Sequence, residues 1–187
     1  MRVLGVDPGF ANFGWCVGSV HPRGIVIPVE CGVMHTTKSH KRLKVLAPDD
    51  EFRRTTELAD KLERLLDEHD VRMVFAEGMS SPRNATTIRM LGYAWGVLAS
   101  ACQRRTLPLA QVSPKQLKKA LCGRISVTDA ELHAQVQLRY PEYKAIVETF
   151  VTNSSKREHA YDALGAIDAC REGQLFRTLV ANLRDVA

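Results

Sequence analysis

The chain has 187 residues, a formal net charge of +5, a hydrophobic fraction of 45% and a charged fraction of 25%. These values exclude a disordered or collagen-like chain, and the length suits one domain spanning residues 1–187. The five scattered cysteines include no C-x-x-C pair, which argues against a zinc site, and we expect them to be reduced. Because the sequence shows no signal-like segment and no apolar segment of bilayer length, we expect a cytoplasmic protein without a membrane partner.

The chain predicts strands and helices that alternate from the N-terminus onward. Short apolar runs bounded by turns predict strands, and apolar residues at helical spacing predict helices. In the first half these are strands at 2–6, 13–20 and 25–34, a polar loop at 36–50, a helix at 51–69 and a strand at 71–76.

The second half continues the alternation with clear start signals. Asn84 is placed to cap a helix, Pro114 to open one, and Thr128 with Glu131 forms a capping-box pattern. The predicted elements are helices at 84–104, from 114, from 128 to before Pro141 and at 156–171, a strand at 107–112, and an amphipathic core segment at 174–183. The fold class is therefore α/β, with a mixed sheet of antiparallel N-terminal hairpins plus parallel strands and helices on both faces.

Two carboxylates end predicted strands. Asp7 stands directly before a Pro-Gly turn, and Glu77 follows the apolar strand 71–76. Each has an ordinary explanation, as a turn residue for Asp7 and as a helix cap or ion-pair partner for Glu77. If the two strands are neighbours, however, the carboxylates come close together, and like charges held together need a cation.

A late helix adds further polar groups. His159 and Asp162 lie three residues apart on one face, and the small residues Ala160, Ala163 and Gly165 allow this helix to pack closely on the sheet. Oxygen and imidazole ligands from distant segments suit hard divalent ions, and two such ions can promote in-line displacement at a phosphodiester. The pattern predicts metal-dependent phosphodiester hydrolysis, although an exposed helical face with an incidental pair remains the simpler reading of His159 and Asp162.

These residues lie in segments that resemble the RuvC family of Holliday-junction resolvases. The matching segments are MRVLGVDPG at 1–9 with Gly14, FAE at 75–77, Asn84, Leu91 with Gly92 and Gly96, KKALCG at 118–123 and HAYDALG at 159–165. The resemblance implies an RNase H-like domain, Mg²⁺ or Mn²⁺ with two ions per site, a four-way DNA junction as substrate and a homodimer. It assigns the catalytic and metal-ligand positions to Asp7, Glu77, His159 and Asp162.

Three features qualify the resemblance. Glu158, four residues before Asp162, competes with His159 for the fourth ligand position. The aromatic residue that many relatives carry after the strand-ending Glu is replaced by the segment from Gly78 to Pro82, and Asp129 stands where a lysine is expected. Because imidazole is softer than carboxylate, His159 also predicts that Mn²⁺ supports activity at least as well as Mg²⁺.

Basic residues are bunched, as a polyanion partner requires. For any one cluster, a solvated surface is an equally ordinary explanation. The predicted DNA-binding residues are Lys41, Arg42, Lys115, Lys118, Lys119, Arg124, Lys156 and Arg157.

Three other functions stay open at this point. Residues 5–9 with Gly14 also resemble the phosphate-binding hairpin of actin-like and sugar-kinase-like ATP-binding proteins, although those need two lobes. A junction binder without efficient cleavage would keep the fold and the basic surface. A nuclease with the same chemistry could instead accept forks, flaps or RNA-containing duplexes.

Overall fold

Five strands form one mixed sheet in a computed structural model that describes residues 1–79 and 84–185. Their order is β3-β2-β1-β4-β5, with β1 antiparallel to β2 and parallel to β4. The strands are β1 (Arg2–Asp7), β2 (Asn12–Val20), β3 (Val26–His35), β4 (Val71–Glu77) and β5 (Leu109–Val112). Antiparallel hairpins followed by parallel strands confirm the predicted sheet.

Helices cover both faces of this sheet, as predicted. One apolar core lies between the sheet and α1 and α2, and the other lies between the sheet and the later helices. The helices are α1 (Ala47–His69), α2 (Ala85–Arg104), α3 (Pro114–Cys122), α4 (Asp129–Arg139), α5 (Tyr143–Phe150), α6 (Arg157–Ala169) and α7 (Gln174–Asp185). Among the described residues, no helix is long and apolar enough to cross a membrane.

Two helices differ from the sequence-based prediction. α1 begins at Ala47, inside the predicted loop, because Pro48 suits the first helical turn and Asp49 and Asp50 favour a helix N-terminus. α5 was not predicted, because it has only eight residues and no side-chain cap. The capping box of Thr128 at the start of α4 is confirmed.

Two strand glycines let α6 lie directly on the sheet. A Cβ at Gly5 would overlap the carbonyl oxygen of Ala163, and a Cβ at Gly14 would overlap that of His159. Any larger residue at these positions would push the helix away from β1 and β2. The polar groups at the start of α6 are therefore held against the end of β1.

Candidate active site

Asp7 and Glu77 lie side by side at one edge of the sheet. β1 and β4 are parallel neighbours in which Val6 pairs with Ala76, so the next residue on each strand is a carboxylate. The two side chains line a cavity of about 100 Å³ that also includes Gly78. The predicted pairing of the two strands is thus confirmed, and both carboxylates reach the same small space.

His159 joins this edge from α6. Gly14, the β2 partner of Asp7, lies under the backbone of His159. The imidazole Nδ1 and Asp7 Oδ2 are 2.7 Å apart, and since an ionised carboxylate only accepts, Nδ1–H donates. This hydrogen bond raises the pKa of His159 despite the partial burial of the ring. The other ring nitrogen, Nε2 of His159, lies 3.9 Å from Oε1 of Glu158.

Glu77 and Asp162 lie in surroundings that disfavour their ionised forms. Burial raises the pKa of Glu77 to about 8, and the nearby charges of Asp162 and Asp7 add to the effect. Burial likewise raises the pKa of Asp162, with a smaller contribution from Asp7. Lys118 is the nearby cation and lowers the pKa of Glu77 only in part. Carboxylates in this state gain most from a bound cation.

A second histidine, His133 of α4, contacts the site. Its Nε2 lies 3.0 Å from Asp162 Oδ1, and its ring stacks on Tyr161 with centroids 5.4 Å apart. The sequence-based prediction missed this residue. No local signal could have found it, because the contact joins positions 29 residues apart on two helices.

The donor groups suit a divalent ion by their chemistry, although they meet in pairs and not in one cluster. Within residues 1–79 and 84–185, no three His, Cys, Asp or Glu side chains stand together in a geometry that could hold a metal. Instead the groups meet in pairs, His159 with Asp7 and His133 with Asp162. The donor chemistry and the unbalanced charge at Glu77 fit Mg²⁺ or Mn²⁺, which prefer few carboxylates and keep waters in other positions.

A comparison with protein families decides the identity of this fold. The model of the family described as crossover junction endodeoxyribonuclease RuvC matches residues 3–168, a span that includes all four carboxylate and imidazole positions predicted as ligands. The chain belongs to the RuvC family. This is a nuclease family that uses divalent metal ions, and membership favours the nuclease hypothesis over an ATP-binding protein.

Individual RuvC proteins show the same relationship. The crossover junction endodeoxyribonuclease RuvC of Thermomicrobium roseum is 33% identical over 138 residues, which cover 74% of this chain and 78% of that protein. The RuvC of a Synechococcus species is 31% identical over 128 residues, covering 66% of this chain and 74% of the relative.

Solved RuvC-type structures share the fold. Thermus thermophilus RuvC in complex with a Holliday junction substrate matches with a TM-score of 0.68 at 18% identity, over 90% of this chain and 92% of that one. A yeast mitochondrial Holliday junction resolvase matches with a TM-score of 0.62 at 16% identity, over 97% and 85% of the two chains. The RNase H-like fold predicted from the sequence is confirmed.

Two positions at which the sequence analysis expected other residues in a RuvC-family chain, Met79 and Asp129, lie beside the site. Met79, in place of an aromatic residue, is 49% exposed next to Glu77, while residues 80–82 of the same segment lie outside the described residues. Asp129 is paired with Lys118 at 2.9 Å, and Lys118 also donates to the carbonyl of Val127. Lys118 is thereby held at the carboxylate cluster by the acidic residue that replaces the expected lysine.

The other predicted DNA-binding residues of this RuvC-family chain lie in different surroundings. Arg124 pairs with Glu131 at 2.6 Å, and Arg157 donates to the carbonyl of Val151. Lys119 lines a different groove, between α3 and α7, and therefore lies away from the carboxylates. Lys115 is exposed on α3, and Lys156 is half-buried before α6.

The basic loop between β3 and α1 borders a large cavity. Lys41 and Arg42 lie in a short 3-10 helix there, and both are exposed. Lys38, Lys41 and Lys44 line a cavity of about 720 Å³ whose wall includes His159. This cavity therefore opens beside the candidate active site, and its lining carries more positive than negative charge, since Lys38, Lys41, Lys44 and Arg54 outnumber Asp50 and Glu51.

Proposed function

We propose that this chain is a divalent-metal-dependent endodeoxyribonuclease that resolves Holliday junctions, with Asp7, Glu77, His159 and Asp162 as its catalytic and metal-ligand residues. The observation that carries the proposal is the unbalanced carboxylate cluster at the ends of β1 and β4, where burial and neighbouring charge raise the pKa of Glu77 to about 8. Such a cluster is costly unless a cation binds it. We further propose that residues 1–187 form a single domain and that the protein is cytoplasmic.

Each ligand residue has a defined role in the reaction. The bound ions, which we propose are two Mg²⁺ or Mn²⁺, would activate a water molecule and stabilise charge on the phosphate. Asp7 and Glu77 would hold them from the rigid strand ends. Asp162 and His159 would close the site from α6, where the close approach at Gly14 fixes their position. Lys118, held by Asp129, would contact a substrate phosphate next to Glu77.

Family membership and the basic surface together support four-way junction DNA as the substrate. Phosphate contacts by lysine and arginine supply affinity for DNA without reading its sequence. The lysine-lined cavity beside His159 can receive a strand that continues past the cut phosphate. Because Met79 stacks on bases less well than an aromatic ring, sequence preference should be weak.

A homodimer would place two active sites across the two-fold symmetry of a four-way junction. α2 offers a face for it. Gly92 and Gly96 lie one turn apart on the exposed side of this helix, and a Cβ at either would meet no atom of the described residues within 4 Å. Ile88, one turn before Gly92, is also exposed. Small residues with an apolar neighbour allow two such helices to approach closely.

The test is a cleavage panel with Mn²⁺ or Mg²⁺. A four-way junction, a fork, a linear duplex and an RNA/DNA hybrid are incubated with the protein, and the cut positions are mapped. We expect paired, symmetric nicks in the junction alone, with Mn²⁺ at least as effective as Mg²⁺. Cleavage of every substrate would replace the proposal with a general branched-DNA nuclease. Junction binding in EDTA without cleavage in metal would indicate a binding protein.

The fourth ligand is tested by paired substitutions. Glu158 is exposed, and His159 is half-buried against Asp7. We expect His159→Ala to abolish most cleavage and Glu158→Ala to change it less than about threefold, as is usual for an exposed side chain. The reverse pattern would transfer the ligand role to Glu158.

A further inference from the structure

We propose that His133 is a positioning residue that donates a hydrogen bond from Nε2 to Asp162 and so holds this carboxylate in the orientation that binds the metal. The inference rests on the proposed function, because Asp162 is a ligand only if the site takes a divalent ion. It concerns a residue outside the four predicted ligands.

The contact has the geometry of a ligand-orienting hydrogen bond. Nε2 of His133 and Oδ1 of Asp162 are 3.0 Å apart, and the two side chains are 15% and 20% exposed, so water competes only weakly. An ionised carboxylate cannot donate, and therefore the hydrogen is on Nε2. With Oδ1 taken by His133, the other oxygen of Asp162 is left for an ion. Partners of this kind typically change metal affinity about 10- to 100-fold when removed.

The ring is fixed by its surroundings. It stacks on Tyr161, the residue before Asp162, with an interplanar angle of 27°. Tyr161 in turn meets the buried Tyr143 edge to face. The imidazole is thus held between α4 and the aromatic side of α6, and a fixed ring loses less entropy when it orients a ligand.

The chain also offers a matched control histidine. His69 of α1 has the same features far from the site, since its ring packs near Trp15 and its Nε2 lies 3.5 Å from Glu30 Oε2. Its side chain is 16% exposed, close to the value for His133. A substitution at His69 therefore shows how much Mn²⁺ affinity and cleavage change when a half-buried, carboxylate-paired imidazole that does not contact Asp162 is lost.

Two substitutions separate the hydrogen bond from the stacking. His133→Phe keeps an aromatic ring against Tyr161 and removes the donor. His133→Gln removes the ring and keeps an amide N–H near the position of Nε2. If His133 acts through its donor, the glutamine variant retains the function that the phenylalanine variant loses.

The experiment measures Mn²⁺ affinity by isothermal titration calorimetry without DNA, together with junction cleavage over a Mn²⁺ series. We expect His133→Phe to weaken Mn²⁺ binding about 10-fold or more and to shift the Mn²⁺ dependence of cleavage upward equally. His133→Gln should stay within about threefold of the unsubstituted protein, as should His69→Phe. The rate at saturating Mn²⁺ should change much less than the affinity.

Two results would overturn the inference. Unchanged Mn²⁺ affinity in His133→Phe would show that Asp162 needs no support from His133. Equal weakening in His133→Gln and His133→Phe would show that an amide donor cannot replace the imidazole, as expected if His133 bound the metal directly. Failure of the proposed function is separate: the unsubstituted protein would then neither bind Mn²⁺ nor cleave the junction.

Discussion

Two aspartates of α6 lie in opposite electrostatic settings. Asp168, near the C-terminal end, is 1% exposed, accepts from Tyr140 at 2.7 Å and Arg171 at 3.2 Å, and pairs with Arg139. Asp162, in the middle of the helix, has His133 as its donor and lies near the carboxylates of Glu77 and Asp7. One aspartate joins helices together, and the other is left with charge that a metal ion can balance.

The largest expected effect is on catalysis. Asp162→Asn keeps the shape of the side chain and removes its charge, so we expect cleavage of the junction to fall on the order of 10³-fold. The thermal midpoint measured in EDTA should stay the same or rise, because repulsion with Glu77 is relieved. A loss of stability with retained cleavage would show that Asp162 serves the fold.

The same substitution at Asp168 should do the opposite. Asp168→Asn removes the buried carboxylate that accepts from Arg139 and Arg171, so the free energy of unfolding should fall by about 2 kcal/mol in urea denaturation, as is typical for hydrogen bonds to a charged group. The cleavage rate of the folded protein should remain within about threefold. Asp60→Asn, on the exposed side of α1, is the matched control and should change neither quantity.

A pH series sharpens the contrast at Glu77. Its pKa in the folded protein is about 8, compared with an ordinary value of 4.5, so between these values the folded state holds a proton that the unfolded state has lost. The contribution of Glu77 to the stability of the metal-free protein therefore falls as pH rises from about 4.5 to about 8. The contribution of Glu77 is obtained by subtracting the free energy of unfolding of Glu77→Gln from that of the unsubstituted protein at each pH, which removes the contribution of the other carboxylates. A difference that rises with pH over this window would contradict the raised pKa.

The smallest effect concerns cations that lack carboxylate partners. Lys41 and Arg42 form no ion pair with any residue in 1–79 or 84–185, unlike Arg139 and Arg171. Replacing both with alanine should weaken junction binding and reduce the slope of log affinity against log salt by about two, because each phosphate contact releases counterions. Lys144→Ala, on exposed α5, should leave the slope unchanged. An unaltered slope in the double variant would remove this loop from the DNA interface.

Local patterns predicted much of the site because they reflect backbone rules. A carboxylate at the end of each apolar strand predicted neighbours at Asp7 and Glu77, since parallel strands end at one sheet edge. The small residues of α6 predicted its close packing, which Gly5 and Gly14 make possible. The capping box at Thr128 likewise predicted the start of α4.

Tertiary contacts explain what sequence patterns did not reveal. The bond of His133 to Asp162 depends on how α4 packs against α6, and neither helix encodes it locally. The sequence showed only that Asp129 stands where a lysine is expected. The structure shows that Asp129 pairs with Lys118, so a cation is still held beside the carboxylates. The separation of Lys119 from the carboxylates also follows from which face of α3 packs against α6.

The most direct test of the account is anomalous diffraction from crystals of the protein soaked in Mn²⁺. We predict manganese peaks at the end of β1 and β4, within ligand distance of Asp7, Glu77 and Asp162, and their loss in Asp162→Asn crystals. The absence of manganese from this edge, or its binding at carboxylates elsewhere, would contradict the claim that the cluster of Asp7, Glu77 and Asp162 is a metal site.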